Sequence, residues 1–203
     1  MKNIRRLFWR IRHDFAVYRK SARMTPKVFV IGINKTGTTS LAEALRILGY
    51  DHFSTYFNKR PDIVDWRRKG DYRRLIRWAR KFDSFDDGPW YNPDVIEKMD
   101  VAFPGSKFIL LNRDENEYMK SYLTYFARRP NVKTLKNPDL IIEEFRRHRS
   151  WCLEYFTGRD EDFLDLYVKD ENAFQRLSLF LDRPFIAMRL PHKNKTTKTG
   201  FSV

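Results

Sequence analysis

Short apolar runs alternate along this chain with longer stretches whose apolar positions recur every three or four residues. "KVFVIG" (27–32), "FDSFDD" (82–87), "KFILLN" (107–112) and "DFLDLYV" (162–168) are brief and bounded by turn residues, and "YDHF" (50–53) begins a further run. Such runs predict buried strands, with "KFILLN" the clearest. Between them, Thr38 to Leu48 carries Leu41, Ala44, Leu45 and Leu48 on one side and stops at Gly49, which predicts a helix. Residues 60–81 predict a basic helical segment anchored by Trp66 and Trp78, and Asn92-Pro93 starts a helix to about Met99. Residues 113–129 read as a helix entered through acidic residues, 138–157 as a long helix, and 170–181 as one capped by Asp170. Strands that alternate with helices predict a single α/β domain over residues 25–203: three α/β/α layers around a central parallel sheet. Ligands of such sheets bind beyond the carboxyl ends of the strands.

Composition narrows the partners. The chain has 203 residues, of which 42% are hydrophobic and 16% aromatic, enough for one domain with a substantial core. Forty Lys and Arg against 26 Asp and Glu give +14, which favours anionic partners. Residues 1–27 hold nine basic side chains against Asp14 alone, so +8 sits there and +6 is left for the other 176. The domain itself is only moderately basic, and nucleic acid is not an expected partner. Cys152 is the single cysteine, which rules out an internal disulfide and fits a reducing, cytoplasmic setting. No run reaches the roughly 18 apolar residues of a membrane span.

Residues 1–24 predict a basic amphipathic helix, with Ile4, Leu7, Phe8, Ile11 and Phe15 at helical spacing and arginines on the remaining faces. Those arginines interrupt the apolar centre that a secretory signal needs. Two readings stand: a helix lying on the anionic inner face of a membrane, or a helix packed on its own domain or solvated as a basic arm. A transit peptide is a third, minor one. The pattern sets no oligomeric state.

The chemistry concentrates in "GINKTGTT" (32–39), where the first strand turns into the first helix. Backbone N–H groups from Lys35 to Thr39 converge there at a helix start, where unpaired donors and the helix dipole attract an anion. Gly37 permits close approach. Thr36, Thr38, Thr39 and Ser40 offer hydroxyls and Lys35 a mobile charge. An ATP-binding loop would place lysine after the second glycine, where Thr38 stands here. The spacing of Gly32 and Gly37 survives, but the most charged contact of that motif does not. A plain glycine turn is the alternative to an anion site.

"NKTGTTSL" after an apolar strand resembles the 5′-phosphosulfate loop of the sulfotransferases that use 3′-phosphoadenosine 5′-phosphosulfate (PAPS). In that family the lysine precedes Ser/Thr-Gly-Thr-Thr, as Lys35 does. The resemblance implies a cofactor site at Asn34, Lys35, Thr36, Gly37, Thr38, Thr39 and Ser40. It also implies a second site for the 3′-phosphate, and Arg113 with Ser121 eight residues later matches the family's Arg and Ser. Two other readings of that stretch are a structural Arg113–Asp114 pair and a metal-binding strand end using Asp114. The segment "FQRLSLFLDRPFIAMRLPHKNK" resembles the late helix and "PH-x-N" end of small sulfotransferases, with Asp182 where glycine is usual. By position it offers Lys193, Lys195 and Lys198 to the cofactor. The resemblance covers roughly residues 27–195 and implies 3′,5′-adenosine diphosphate as product, with no metal required.

Sulfuryl transfer needs a base for the acceptor's proton and a cation at the departing phosphate. Lys35 suits the second task. Relatives place the base at the end of a middle strand, which here reads "FDSFDDGPWY". Asp87 stands first because Asp-x-Pro resembles the small-sulfotransferase subgroup; Asp86 comes next, then His52 after the second strand. Adjacent strand residues face opposite ways, so one aspartate points at the sulfur and the other caps a nearby helix. The acceptor wall is expected in segments 50–82 and 124–150, whose aromatics suit a carbohydrate or glycolipid and whose Arg128, Arg129, Arg146 and Arg147 suit an acidic one. Two other readings compete: a P-loop kinase or NTPase, and a noncatalytic basic module for acidic glycan or membrane whose binding fades with salt.

Overall fold

The computed structural model describes residues 26–56, 58–127, 137–184 and 188–191. Five strands, β1 (Val28–Val30), β2 (His52–Ser54), β3 (Ser84–Asp86), β4 (Lys107–Asn112) and β5 (Phe163–Tyr167), form one sheet in the order β2-β3-β1-β4-β5. Every pairing is parallel. Among the described residues seven helices connect them: α1 (Thr38–Ile47), α2 (Pro61–Arg68), α3 (Tyr72–Ala79), α4 (Pro93–Ala102), α5 (Glu115–Ala127), α6 (Pro138–Tyr155) and α7 (Ala173–Phe180). The predicted segment 1–24 and Arg128, Arg129, Lys193, Lys195 and Lys198 lie outside the described residues.

Strand periodicity sorts the core into layers. Phe29, Phe85, Phe108 and Leu110 point to one face, where Ile63, Leu75, Met99 and Cys152 of α2, α3, α4 and α6 cover them. Val28, Val30, Ile109 and Leu111 point to the other, against Leu41 and Leu45 of α1 and Phe174 and Leu177 of α7. A sheet buried on both faces is why these strands read as continuous apolar runs. The Phe29 ring stacks 5.3 Å from Phe85 and 5.4 Å from Phe108, tying three neighbouring strands together. Each such aromatic pair contributes about 0.5–1.5 kcal/mol beyond area burial.

Three expectations change. The helical segment 60–81 is two helices, because Lys69 to Asp71 turn and the Asp71 carboxylate then accepts the N–H of Arg74 at 3.1 Å, capping α3. Asp170 does not cap α7: its carboxylate accepts the N–H of Asn172, and the helix begins one residue later. His52 opens β2 and is buried, where it was expected after that strand. The chain leaves β1 toward β2 on one side and crosses to β4 on the other. The carboxyl end of β1 is therefore the switch point of the sheet, where such folds open a crevice.

Candidate functional site

Gly32, two residues past β1, is under close constraint. A Cβ placed there would come 2.6 Å from Leu111 Cβ and 2.9 Å from the Leu111 backbone nitrogen, so only glycine lets β1 and β4 run so close. Thr36 is buried and its hydroxyl donates to the Ile33 carbonyl at 2.6 Å, which folds the turn and commits that hydroxyl to the loop itself. Gly37 caps α1 at φ 114, a left-handed conformation that side chains resist, and a Cβ there would press on Val168 at 2.9 Å. Thr38 and Ser40 are buried behind it, Thr39 is half-buried and Asn34 is exposed. Lys35 also takes a left-handed angle, φ 73, a strained choice for a residue with a Cβ. Its Nζ lies 4.0 Å from the centre of the Tyr125 ring on α5.

The end of β4 joins this loop directly. Arg113 follows Asn112, whose side-chain oxygen accepts its N–H at 2.8 Å, and Arg113 Nη1 donates to the Lys35 carbonyl at 2.6 Å. The strained turn is thus pinned by the guanidinium. Arg113 Nε is buried without a hydrogen-bond acceptor, with Glu117 Oε2 3.7 Å away. Asp114 accepts the N–H of Glu117, so it caps α5. Ser121 is buried on α5, one turn past Glu117.

The end of β3, beside β2, is acidic. Asp86 is the last residue of β3 and is buried; neither carboxylate oxygen has a hydrogen bond, and His52 Nε2 lies 3.4 Å from Oδ1, within ion-pair range. The His52 Nδ1 edge meets Ser84 Oγ at 2.8 Å. Asp86 therefore does not cap a helix; α4 is led by Asn92. Asp87 leaves the strand with φ 66 and swings to the cleft, where the Ser54 hydroxyl donates to it at 2.8 Å and the Tyr56 N–H adds a second bond. Burial, and next the Asp86 charge, push its pKa from 3.8 to about 6, although its two hydrogen bonds and Lys35 pull the other way. Trp90 Nε1 donates to Thr55 Oγ1 at 3.0 Å and ties the two strand ends together.

Several groups at this cleft escape a reading of the sequence. His148 of α6 is held at Ile31, 117 positions away; the carbonyl can only accept, so Nε2 carries the proton of the 2.6 Å bond. Burial lowers the His148 pKa and keeps the ring neutral. Tyr91 meets His148 edge to face at 6.0 Å, and burial pushes its hydroxyl up to about 12. Ile141, Phe145, His148 and Cys152 recur at helical spacing on α6, a signal that this face packs inward. With Tyr118 and Tyr122 of α5, Ile141 and Phe145 pack around Ile33 and make an aromatic wall beside the loop. Arg146 is tied to Glu115 at 2.7 Å and, with the exposed Arg147, borders a surface groove of about 490 Å³ between α5 and α6.

A family model described as a sulfotransferase domain matches residues 27–137, more than half of the chain. The chain belongs to the sulfotransferase domain family. The matched region starts one residue before β1 and includes the loop at Lys35, both aspartates and the whole of α5. Membership supports sulfuryl transfer as the type of reaction. A comparison with curated proteins gives no match. Among solved structures, this sulfotransferase-domain chain is similar to a gluconokinase from Sinorhizobium meliloti 1021, at 14% identity and a TM-score of 0.48, over 79% of this chain and 97% of that one. Among the described residues no helix is long and apolar enough to cross a membrane.

Proposed function

We propose that this chain transfers the sulfuryl group of PAPS to a hydroxyl or amine of an acceptor, with the cofactor held at both ends by one continuous rim. A single observation carries this reading: Arg113 donates to the Lys35 carbonyl at 2.6 Å although 78 positions separate them, so the two basic motifs adjoin. The N–H groups of the Lys35–Thr39 turn suit the phosphosulfate, and Arg113 with Ser121 suits the 3′-phosphate. PAPS supplies an activated sulfuryl group. The sulfur–oxygen bond to the 5′-phosphate breaks and that oxygen keeps the electron pair, while a bond forms between sulfur and the acceptor atom. Lys35 offsets the charge that builds on the departing phosphate. Asp87 takes the acceptor proton, a task suited to a carboxylate whose pKa is raised to about 6. Asp86, buried against His52, is placed to act through Asp87.

The half-buried Tyr91, backed by the buried cluster of Tyr118 and Tyr122, favours a carbohydrate or glycolipid acceptor, since aromatic faces stack on sugar rings. A basic N-terminal segment resting on a membrane would bring a lipid-linked acceptor to the same cleft, on the cytoplasmic side. Calorimetry with 3′,5′-adenosine diphosphate tests the cofactor assignment. Wild type binds it in EDTA, and Arg113→Ala weakens it by about ten- to a hundredfold, the range for losing hydrogen bonds to a charged group. Equal binding by both proteins overturns the assignment, and magnesium-dependent binding of ATP points to a kinase instead.

A further inference from the structure

The cationic rim does not stop at Arg113. Val168, just past β5, touches the space a Cβ would fill at Gly37, so the end of β5 borders the phosphate loop. The next residue, Lys169, places Nζ on both oxygens of Glu117, at 2.5 and 2.6 Å. Glu117 in turn stands 3.7 Å from Arg113 Nε, which is buried and has no hydrogen-bond acceptor. One carboxylate thus sits between two cations, bonded to the first and too distant to satisfy the second. Lys169 and Glu117 are both more than one-third exposed, so the pair can open without unpacking the core.

We propose that Lys169 is a further ligand of the nucleotide's 3′-phosphate and that Glu117 occupies its place while the site is free. The proposal rests on the PAPS reading above. A phosphate monoester carries nearly twice the charge of a carboxylate and three acceptor oxygens. It can therefore satisfy Arg113 Nε and draw the Lys169 ammonium from Glu117, whose negative charge then opposes the incoming anion. The consequence is a specificity device: Lys169 strengthens nucleotides that carry a 3′-phosphate and leaves others alone.

Calorimetry separates this idea from the reading beneath it. Wild type, Lys169→Met and Glu117→Gln are titrated with 3′,5′-adenosine diphosphate and with adenosine 5′-monophosphate, which lacks the 3′-phosphate. Lys169→Met is expected to lose about tenfold in affinity for the first, the scale of one charge-assisted hydrogen bond, and nothing for the second. Unchanged binding of the monophosphate also shows that the variant is folded. Glu117→Gln is expected to bind 3′,5′-adenosine diphosphate several-fold more tightly, because the opposing charge is gone. Wild-type affinity in Lys169→Met, or equal losses for both nucleotides, overturns the role of Lys169. Weaker binding in Glu117→Gln makes Glu117 a strut for Arg113 and overturns the displacement. If wild type fails to bind 3′,5′-adenosine diphosphate at all, the PAPS reading falls and this inference falls with it.

Discussion

At the β1 and β4 ends of the sheet, cations gather at the turn after β1; at the β3 end, beside β2, carboxylates are pressed into the interior. Lys35 and Arg113 are held at the turn, by φ 73 at one and a 2.6 Å bond from the other, with Lys35 Nζ against the Tyr125 ring and Arg113 Nε near Glu117. Asp86 and Asp87 owe their properties to what packs over them: a buried histidine, a serine from the neighbouring strand and the low polarity of the core. The contrast fits the chemistry proposed for each side. An anion is bound by charges that remain fully ionised, and water near them does little harm. A carboxylate that must accept a proton near neutrality needs its ionised form made costly, and burial is the means.

The sharpest way to break this contrast is to neutralise the acidic rim and see whether the cationic one notices. Asp87→Asn is expected to lower turnover by about 10²–10⁴-fold, the span of general-base catalysis, while affinity for 3′,5′-adenosine diphosphate stays within a few-fold of wild type. In the wild type, kcat/KM should fall as pH drops through about 6, since a protonated Asp87 cannot take a proton. The stability sign runs the other way. A folded pKa raised above 3.8 favours the fold at low pH, and that contribution is lost as pH rises through about 6. Asp87→Asn should accordingly melt higher than wild type at pH 8 and show no such gain below about pH 4. Retained turnover in this variant would remove Asp87 from the chemistry.

The cationic rim gives the next effect. Lys35→Ala is expected to cost about 10²–10³-fold in kcat, as for the loss of one charge stabiliser at a departing oxygen, with a smaller change in nucleotide affinity because the turn's N–H groups remain. If affinity collapses as far as kcat, Lys35 is an anchor for the ground state and not a partner of the leaving group.

The same contrast explains what the sequence disclosed. Eight consecutive residues build the loop, so its Gly32 and Gly37 can be read from spacing alone, and the parallel sheet follows from alternating strands and helices. The break at Gly70-Asp71 is also written there, as a glycine stop followed by an aspartate cap, although the segment reads as helical throughout with Trp66 and Trp78 as its anchors. The different placement of Asp86 and Asp87 is not legible. It turns on β3 ending at Asp86, after which φ 66 swings Asp87 out of the alternation that strand residues obey. His148 at Ile31 and Lys169 at Glu117 join residues 117 and 52 positions apart, contacts that only the assembled fold creates.

The smallest expected effect is the most telling about the acidic rim. Asp86→Asn removes a like charge beside Asp87 while keeping nearly the same shape next to His52. Burial is the larger cause of the raised Asp87 pKa and Asp86 the second, so most of the elevation should survive. The acid limb of the kcat/KM profile is therefore expected to move modestly toward lower pH, with the plateau rate little changed. An unmoved acid limb would mean that the Asp86 charge does not raise Asp87. If instead Asp86→Asn abolishes turnover and Asp87→Asn spares it, the proton goes to the residue inside the strand, and the cleft-facing aspartate is only part of the acceptor's wall.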